Sequence, residues 1–125
     1  MTESELSQQV EWFHEFAKQS VEQLVLQATE ENRRLFVQYV CTCLPNHSPP
    51  EGQSSEEFAR TVVELRENER QWNQALMSVL IKADDLYKAQ EWQSAVTKLK
   101  SFAQSCPWKR FEEIAIDQAC NYKPQ

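Results

Sequence analysis

Glycine is almost absent from this chain of 125 residues, because the single glycine, Gly52, lies in the only segment typical of a loop. Hairpin turns, phosphate-binding loops and strained catalytic turns depend on glycine for positive φ angles or for close backbone approach. No G-x-G-x-x-G, P-loop or G-x-S-x-G sequence is therefore present. This scarcity excludes those enzyme signatures and predicts an all-α protein.

Long apolar runs are also missing, which predicts that no segment spans a membrane. The first residues, MTESELSQQ, are polar and acidic, unlike a signal peptide, so we expect a cytoplasmic protein. The net charge is −6, and residues 1–60 hold ten acidic side chains against four basic ones. An acidic surface repels phosphate backbones, which disfavours nucleic acid as a direct partner.

The chain has only two histidines, and neither has a nucleophile nearby in sequence, so we predict that the protein is not an enzyme. Four cysteines at irregular spacing, without an export signal, favour thiols over disulfides: Cys41, Cys43, Cys106 and Cys120. The C-x-C pair and His47 could contribute to a zinc site, but two thiols so spaced on a helix point about 200° apart. We predict no metal and no cofactor, with a cysteine-based metal or redox protein as an alternative.

The first helical region covers residues 3–44. Thr2 and Glu5 form a capping-box sequence at its start, and apolar side chains then follow at helical spacing as far as Ala28. Residues 29–34 contain no apolar side chain, so either Thr29 caps a second helix or one long helix passes an exposed patch. Since no glycine or proline forces a stop, we favour one continuous, kinked helix.

A breaker-rich connector, residues 45–53, precedes a second capping box at Ser54 and a helix that we predict over residues 54–88. Its apolar side chains repeat every seven residues, with Glu69 as a polar interruption. The repeat includes Phe58, Val62, Leu65, Trp72, Leu76 and Val79. Two long helices joined by a short connector predict an antiparallel hairpin over residues 3–88. Alternatively, the stripe mediates self-association as a coiled-coil homodimer, in which Glu69 would pair across the interface.

The stripe shifts register after Leu86 and resumes at Trp92, which predicts a bend near residues 88–91. Two shorter helices are expected, over residues 91–105 and 107–120, the second beginning at Pro107. The whole chain, residues 1–125, is predicted to form one all-helical domain, a bundle built on the long hairpin.

The segment from Leu76 to Pro107 resembles a single tetratricopeptide repeat, a helix-turn-helix unit. The matching residues are Ala83, Leu86, Trp92, Ala95, Leu99 and Pro107. The departures are Lys82, Gln90 and Phe102, which stand where that family favours leucine, glycine and a small residue. The resemblance covers about a quarter of the chain, and no second copy follows. It implies a helical hairpin that binds a protein or peptide.

Two large rings stand beside two cations in the sequence Trp108-Lys109-Arg110-Phe111. Exposed tryptophan and arginine are enriched at binding hot spots, although such rings also close the ends of helical bundles. We predict a non-enzymatic adaptor, regulator or assembly factor that presents a helical surface to another protein. Its predicted binding residues are Trp92, Trp108, Arg110 and Phe111. Besides the homodimer and the metal or redox protein, an accessory subunit of a nucleoprotein complex is an alternative.

Overall fold

The computed structural model describes residues 2–49 and 51–125, and Pro50 of the predicted connector lies outside them. The described residues form six α-helices and no strand, which confirms the predicted all-α helical bundle. The helices are α1 (Glu3–Phe16), α2 (Val21–Leu26), α3 (Glu30–Cys43), α4 (Ser55–Lys88), α5 (Trp92–Ser105) and α6 (Lys109–Asn121). None of these helices combines the length and apolar character needed to cross a membrane.

The chain divides into two compact units, Met1–Asn68 (unit 1) and Glu69–Gln125 (unit 2), and the division falls within α4. The prediction of one domain over residues 1–125 stays a prediction.

The prediction of one continuous helix over residues 3–44 is wrong, and the first break follows Phe16. The Gln19 side chain donates to the Phe16 carbonyl at 3.1 Å and so satisfies an acceptor at the end of α1. Ser20 and Gln23 then form a capping box: the Gln23 amide donates to Ser20 Oγ at 3.2 Å, and the Ser20 amide donates to Gln23 Oε1 at 3.4 Å. This S-x-x-Q sequence ends one helix and starts the next without glycine or proline.

The second break lies at Thr29, where the sequence left two alternatives. Thr29 Oγ1 accepts from the Asn32 amide at 3.1 Å, so Thr29 caps α3 as a separate helix. The Asn32 and Arg33 side chains donate to the carbonyls of Gln27 and Ala28 at 2.8 and 3.0 Å. Polar side chains in the first turn of α3 therefore satisfy carbonyls at the end of α2, which explains why residues 29–34 contain no apolar side chain.

The helix predicted over residues 54–88 is confirmed as α4. Its capping box is complete, because the Glu57 amide donates to Ser54 Oγ at 3.1 Å and the Ser54 amide donates to Glu57 Oε1 at 3.0 Å. These hydrogen bonds hold the Glu57 side chain as a carboxylate, so the pKa of Glu57 lies below its ordinary value.

The predicted bend near residues 88–91 is confirmed at the end of α4. Gln90 has φ 67°, in the left-handed region where glycine is favoured. The Glu91 amide donates to the Leu86 carbonyl at 2.8 Å and the Gln90 amide donates to the Tyr87 carbonyl at 3.1 Å, a Schellman pattern. The two following helices begin within two residues of their predicted starts.

The core of unit 2 lies between α5, α6 and the part of α4 that follows Glu69. Small alanines on α5 and α6 allow these two helices to pack closely, and Trp108 and Leu99 are the largest apolar side chains of this unit that are completely buried. Tyr87 and Tyr122 stack with ring centroids 4.6 Å apart. The buried apolar residues of unit 2 are Leu76, Ala83, Ala95, Leu99, Ala103, Cys106, Trp108, Phe111, Ala115, Ala119 and Tyr122.

Candidate functional site

An apolar groove of about 440 Å³ lies in unit 1, between α3 on one side and the end of the connector and the start of α4 on the other. Phe36 and Phe58 form its floor, and Val37 stands at its edge with 40% of its surface exposed. Its remaining lining residues are Glu30, Arg33, Arg34, Gln38, Glu51, Gly52 and Gln53. An apolar floor under a polar rim is typical of sites that bind ligands or partner side chains.

The floor is held in place by an aromatic cluster. Phe36 and Phe58 meet edge to face with ring centroids 5.5 Å apart. Behind them, Phe13 stacks on Tyr39 at 4.3 Å and approaches Phe36 at 5.9 Å, while Phe16 approaches Phe58 at 6.1 Å. All five rings are buried, so the phenylalanines of the floor cannot turn into the groove and fill it.

Arg33 ties the walls of the groove together. Its Nη1 donates to the Gln53 carbonyl at 2.7 Å and its Nε donates to the Ala28 carbonyl at 3.0 Å. Its guanidinium carbon lies 5.2 Å from the centroid of the Phe58 ring, a cation–π contact. One side chain therefore connects the end of α2, the connector and the first turn of α4. The connector is held further by a 2.8 Å hydrogen bond from Gln53 Nε2 to Thr61 Oγ1.

The rim carries both signs of charge. Arg34 Nη2 donates to Glu31 Oε1 at 2.7 Å and Arg34 Nε donates to Glu31 Oε2 at 3.3 Å. This pair lies at the surface, with 55% of the Arg34 side chain and 65% of the Glu31 side chain exposed. Glu30 and Glu51 add two carboxylates to the lining. The groove thus offers an apolar centre lined by two guanidinium groups and two carboxylates.

The four residues predicted to bind a partner lie in unit 2, and the structure corrects the idea that they form one exposed surface. Trp108 is completely buried and Phe111 almost so, with ring centroids 6.1 Å apart. Arg110 Nη2 donates to Glu69 Oε2 at 2.6 Å, and its guanidinium lies 5.1 Å from the Phe111 ring centroid. Trp92 is half-buried at the start of α5. The two rings therefore close the core, as such rings do at bundle ends.

The residues predicted for self-association also contribute to the interior of the chain. Phe58, Val62 and Leu76 are buried, while Leu65, Trp72 and Val79 are half-buried. Trp72 meets Phe102 edge to face, with centroids 5.8 Å apart. Glu69, expected to pair across a dimer interface, is paired with Arg110 of the same chain. Self-association stays an untested prediction.

The cysteines are distributed over both units. Cys41 and Cys120 are exposed, Cys43 and Cys106 are buried, and no disulfide joins them. Burial raises the pKa of the Cys106 thiol, whose Sγ lies 3.7 Å from the Trp108 carbonyl oxygen. Over residues 2–49 and 51–125, no three histidine, cysteine, aspartate or glutamate side chains are placed to hold a metal ion.

One feature of the sequence indicates the part of α3 that lines the groove. Residues 1–60 contain four basic side chains, and two of them are the adjacent Arg33 and Arg34. They precede Phe36 and Val37 by one turn of α3, so cations and apolar side chains lie on neighbouring parts of that helix. This pattern does not indicate that the connector lies against α3.

The fold and the site define a small all-helical protein with an apolar groove in unit 1. Comparisons with protein-family models, with curated proteins and with solved structures gave no significant match. The resemblance to a tetratricopeptide repeat therefore rests on the sequence of residues 76–107 alone and stays a prediction.

Proposed function

We propose that this protein is a non-enzymatic adaptor or regulator whose unit 1 binds a segment of a partner protein, with an apolar side chain of that segment seated in the groove. The observation that carries the proposal is the apolar floor of Phe36 and Phe58, which is open to the surface beside Val37. Apolar surface of this kind, rimmed by polar groups, is typical of protein interaction sites.

The dimensions of the groove favour a short segment. Its residues on α3 run from Glu30 to Gln38, a distance of about 12 Å along the helix axis. Three or four extended residues, or about two turns of a helix, cover that distance. The partner would therefore contribute one large apolar anchor and its immediate neighbours, while its main affinity comes from burial of that anchor.

The groove requires little rearrangement to accept an anchor. The aromatic cluster fixes the floor, and Arg33 fixes the connector wall through the Gln53 carbonyl. A site that is ordered before binding loses less conformational entropy when the partner docks. This pre-organisation supports a binding role for the groove.

The experiment is a selection of random linear peptides displayed on phage, followed by binding measurements with labelled peptides. The test variant is Val37→Glu, which places a carboxylate at the edge of the apolar floor. The matched control is Val63→Glu, because Val63 is also 40% exposed but lies on α4 and does not line the groove. Both substitutions exchange an exposed valine for glutamate, so they should affect stability alike.

We expect peptides that bind wild type and Val63→Glu equally, and that lose at least about tenfold in affinity for Val37→Glu. Peptides whose affinity is changed by neither substitution would contradict a binding site in the groove. A selection that yields no binding peptide would also contradict it. The absence of direct nucleic-acid binding belongs to the same proposal and rests on the acidic charge balance. A cytoplasmic location stays a prediction.

A further inference from the structure

We propose that the partner segment carries a single carboxylate next to its apolar anchor, and that Arg34 receives this carboxylate. The inference rests on the proposed function, because it names the chemistry of the segment that the groove binds. It comes from the distribution of charge around the groove and from the different ways in which its two arginines are held.

The groove lining holds two of the four basic residues among residues 1–60, Arg33 and Arg34, although ten acidic residues share that stretch. It also holds the carboxylates of Glu30 and Glu51, so the effect on a charged side chain of the segment depends on where that side chain lies. Beside the two arginines, a basic side chain of the segment would be repelled and an acidic one attracted.

The two arginines differ in what they can offer a ligand. Arg33 donates to two backbone carbonyls and lies over the Phe58 ring. If a ligand displaced this side chain, the wall of the groove would open. Arg34 pairs with Glu31 across the exposed surface. Exposed pairs of this kind contribute little, and a guanidinium has five N–H donors, so Arg34 can bind a second carboxylate or exchange its partner.

The lining carboxylates limit the acidic charge of the segment. Glu30 lies in the first turn of α3 and Glu51 in the connector, so a run of acidic residues along the groove would meet both of them. Like charges at short range disfavour binding. One carboxylate close to Arg34 gains the attraction with less repulsion than a run of acidic residues, and it can take the place of Glu31 on the guanidinium. We therefore infer a single acidic residue beside the anchor.

The test uses a fluorescein-labelled peptide from the phage selection and its counterpart in which the acidic residue beside the anchor is replaced by the corresponding amide. Both are titrated against wild type, Arg34→Glu and Lys18→Glu. Lys18 is the matched control, because it also forms an exposed pair with a glutamate three residues before it, Glu15 at 2.7 Å, and lies outside the groove lining.

We expect the amide to weaken binding to wild type by about threefold to tenfold, an effect that shrinks as salt screens the charges. Arg34→Glu should weaken binding of the acidic peptide by at least as much and remove its advantage over the amide. Lys18→Glu should leave both affinities within about twofold of wild type.

The failures of the two proposals are distinguishable. Peptides that are sensitive to Val37→Glu but show no acidic residue, or no response to Arg34→Glu, would overturn the role of Arg34 and leave the groove as the binding site. An equal response to Arg34→Glu and Lys18→Glu would also overturn it, since net charge alone would then explain the effect. Peptides that bind Val37→Glu as tightly as wild type would overturn both proposals.

Discussion

Each unit holds an arginine over a phenylalanine ring, but the two arginines have different hydrogen-bond acceptors. In unit 1, Arg33 lies 5.2 Å from the Phe58 centroid and donates to two neutral carbonyl oxygens. In unit 2, Arg110 lies 5.1 Å from the Phe111 centroid and donates to the buried carboxylate of Glu69. Carbonyls orient a guanidinium without cancelling its charge, whereas a carboxylate neutralises it.

This difference accounts for the different surroundings of the two phenylalanines. Phe111 belongs to a closed core with Trp108, where a neutralised ion pair can be buried. Phe58 forms part of the floor of an open groove, where Arg33 keeps its positive charge. The same local contact thus completes a core in unit 2 and builds a candidate binding site in unit 1.

The largest expected effect is on the ion pair of unit 2. Arg110→Ala removes the cation 2.6 Å from the Glu69 carboxylate, of which only 2% of the side chain is exposed. We expect the free energy of unfolding, measured in urea, to fall by about 3 kcal/mol. The double variant Glu69→Met/Arg110→Met should lie within about 1 kcal/mol of wild type. A loss below about 0.5 kcal/mol for Arg110→Ala would contradict a buried pair.

Removal of the corresponding arginine of unit 1 should lower the free energy of unfolding by less. Arg33→Ala loses two hydrogen bonds to carbonyls and the contact with Phe58, so we expect a loss of about 2 kcal/mol in urea. Its neighbour Arg34 is the control. Because Arg34→Ala breaks an exposed pair with Glu31, we expect it to lower the free energy of unfolding by at most about 0.5 kcal/mol. Equal losses for the two variants would show that Arg33 does not tie the walls together.

The smallest effects concern two residues with the same backbone angle, one in each unit. Gly52 and Gln90 both have φ 67°. Gly52→Ala should lower the free energy of unfolding by about 1 kcal/mol, because no atom lies within 4 Å of an added Cβ and only backbone strain remains. Gln90→Gly should raise it by about 0.5 kcal/mol. Thermal unfolding of both variants checks the opposite signs, and equal signs would contradict this assignment of strain.

The helices of the chain could be predicted from the sequence where apolar periodicity and caps agree. The heptad stripe and the Ser54 capping box defined α4, and the register shift after Leu86 marked the turn at Gln90. The break at Ser20 was missed because its S-x-x-Q capping box interrupts an apolar stripe that continues on both sides. Local hydrogen bonds there override a periodicity that a continuous helix would also satisfy.

The candidate site could be predicted only in part. Trp108 and Phe111 were predicted to bind a partner because large aromatic rings are common at binding sites. Burial depends on tertiary packing, however, and both residues lie in the core of unit 2. The groove depends on a long-range contact, the hydrogen bond of Arg33 to the Gln53 carbonyl twenty residues away. No periodic pattern encodes such a contact, although the two adjacent arginines in an acidic region pointed to that part of α3.

Binding in the groove of unit 1 can be observed as a change in methyl chemical shifts of the ¹³C-labelled protein when a selected peptide is added. We expect the Val37 methyl signals to shift strongly, and those of Val63, equally exposed but outside the groove lining, to stay in place. Shifts confined to Met77 and Ile81, exposed apolar residues of unit 2, would contradict the assignment of binding to the groove of unit 1.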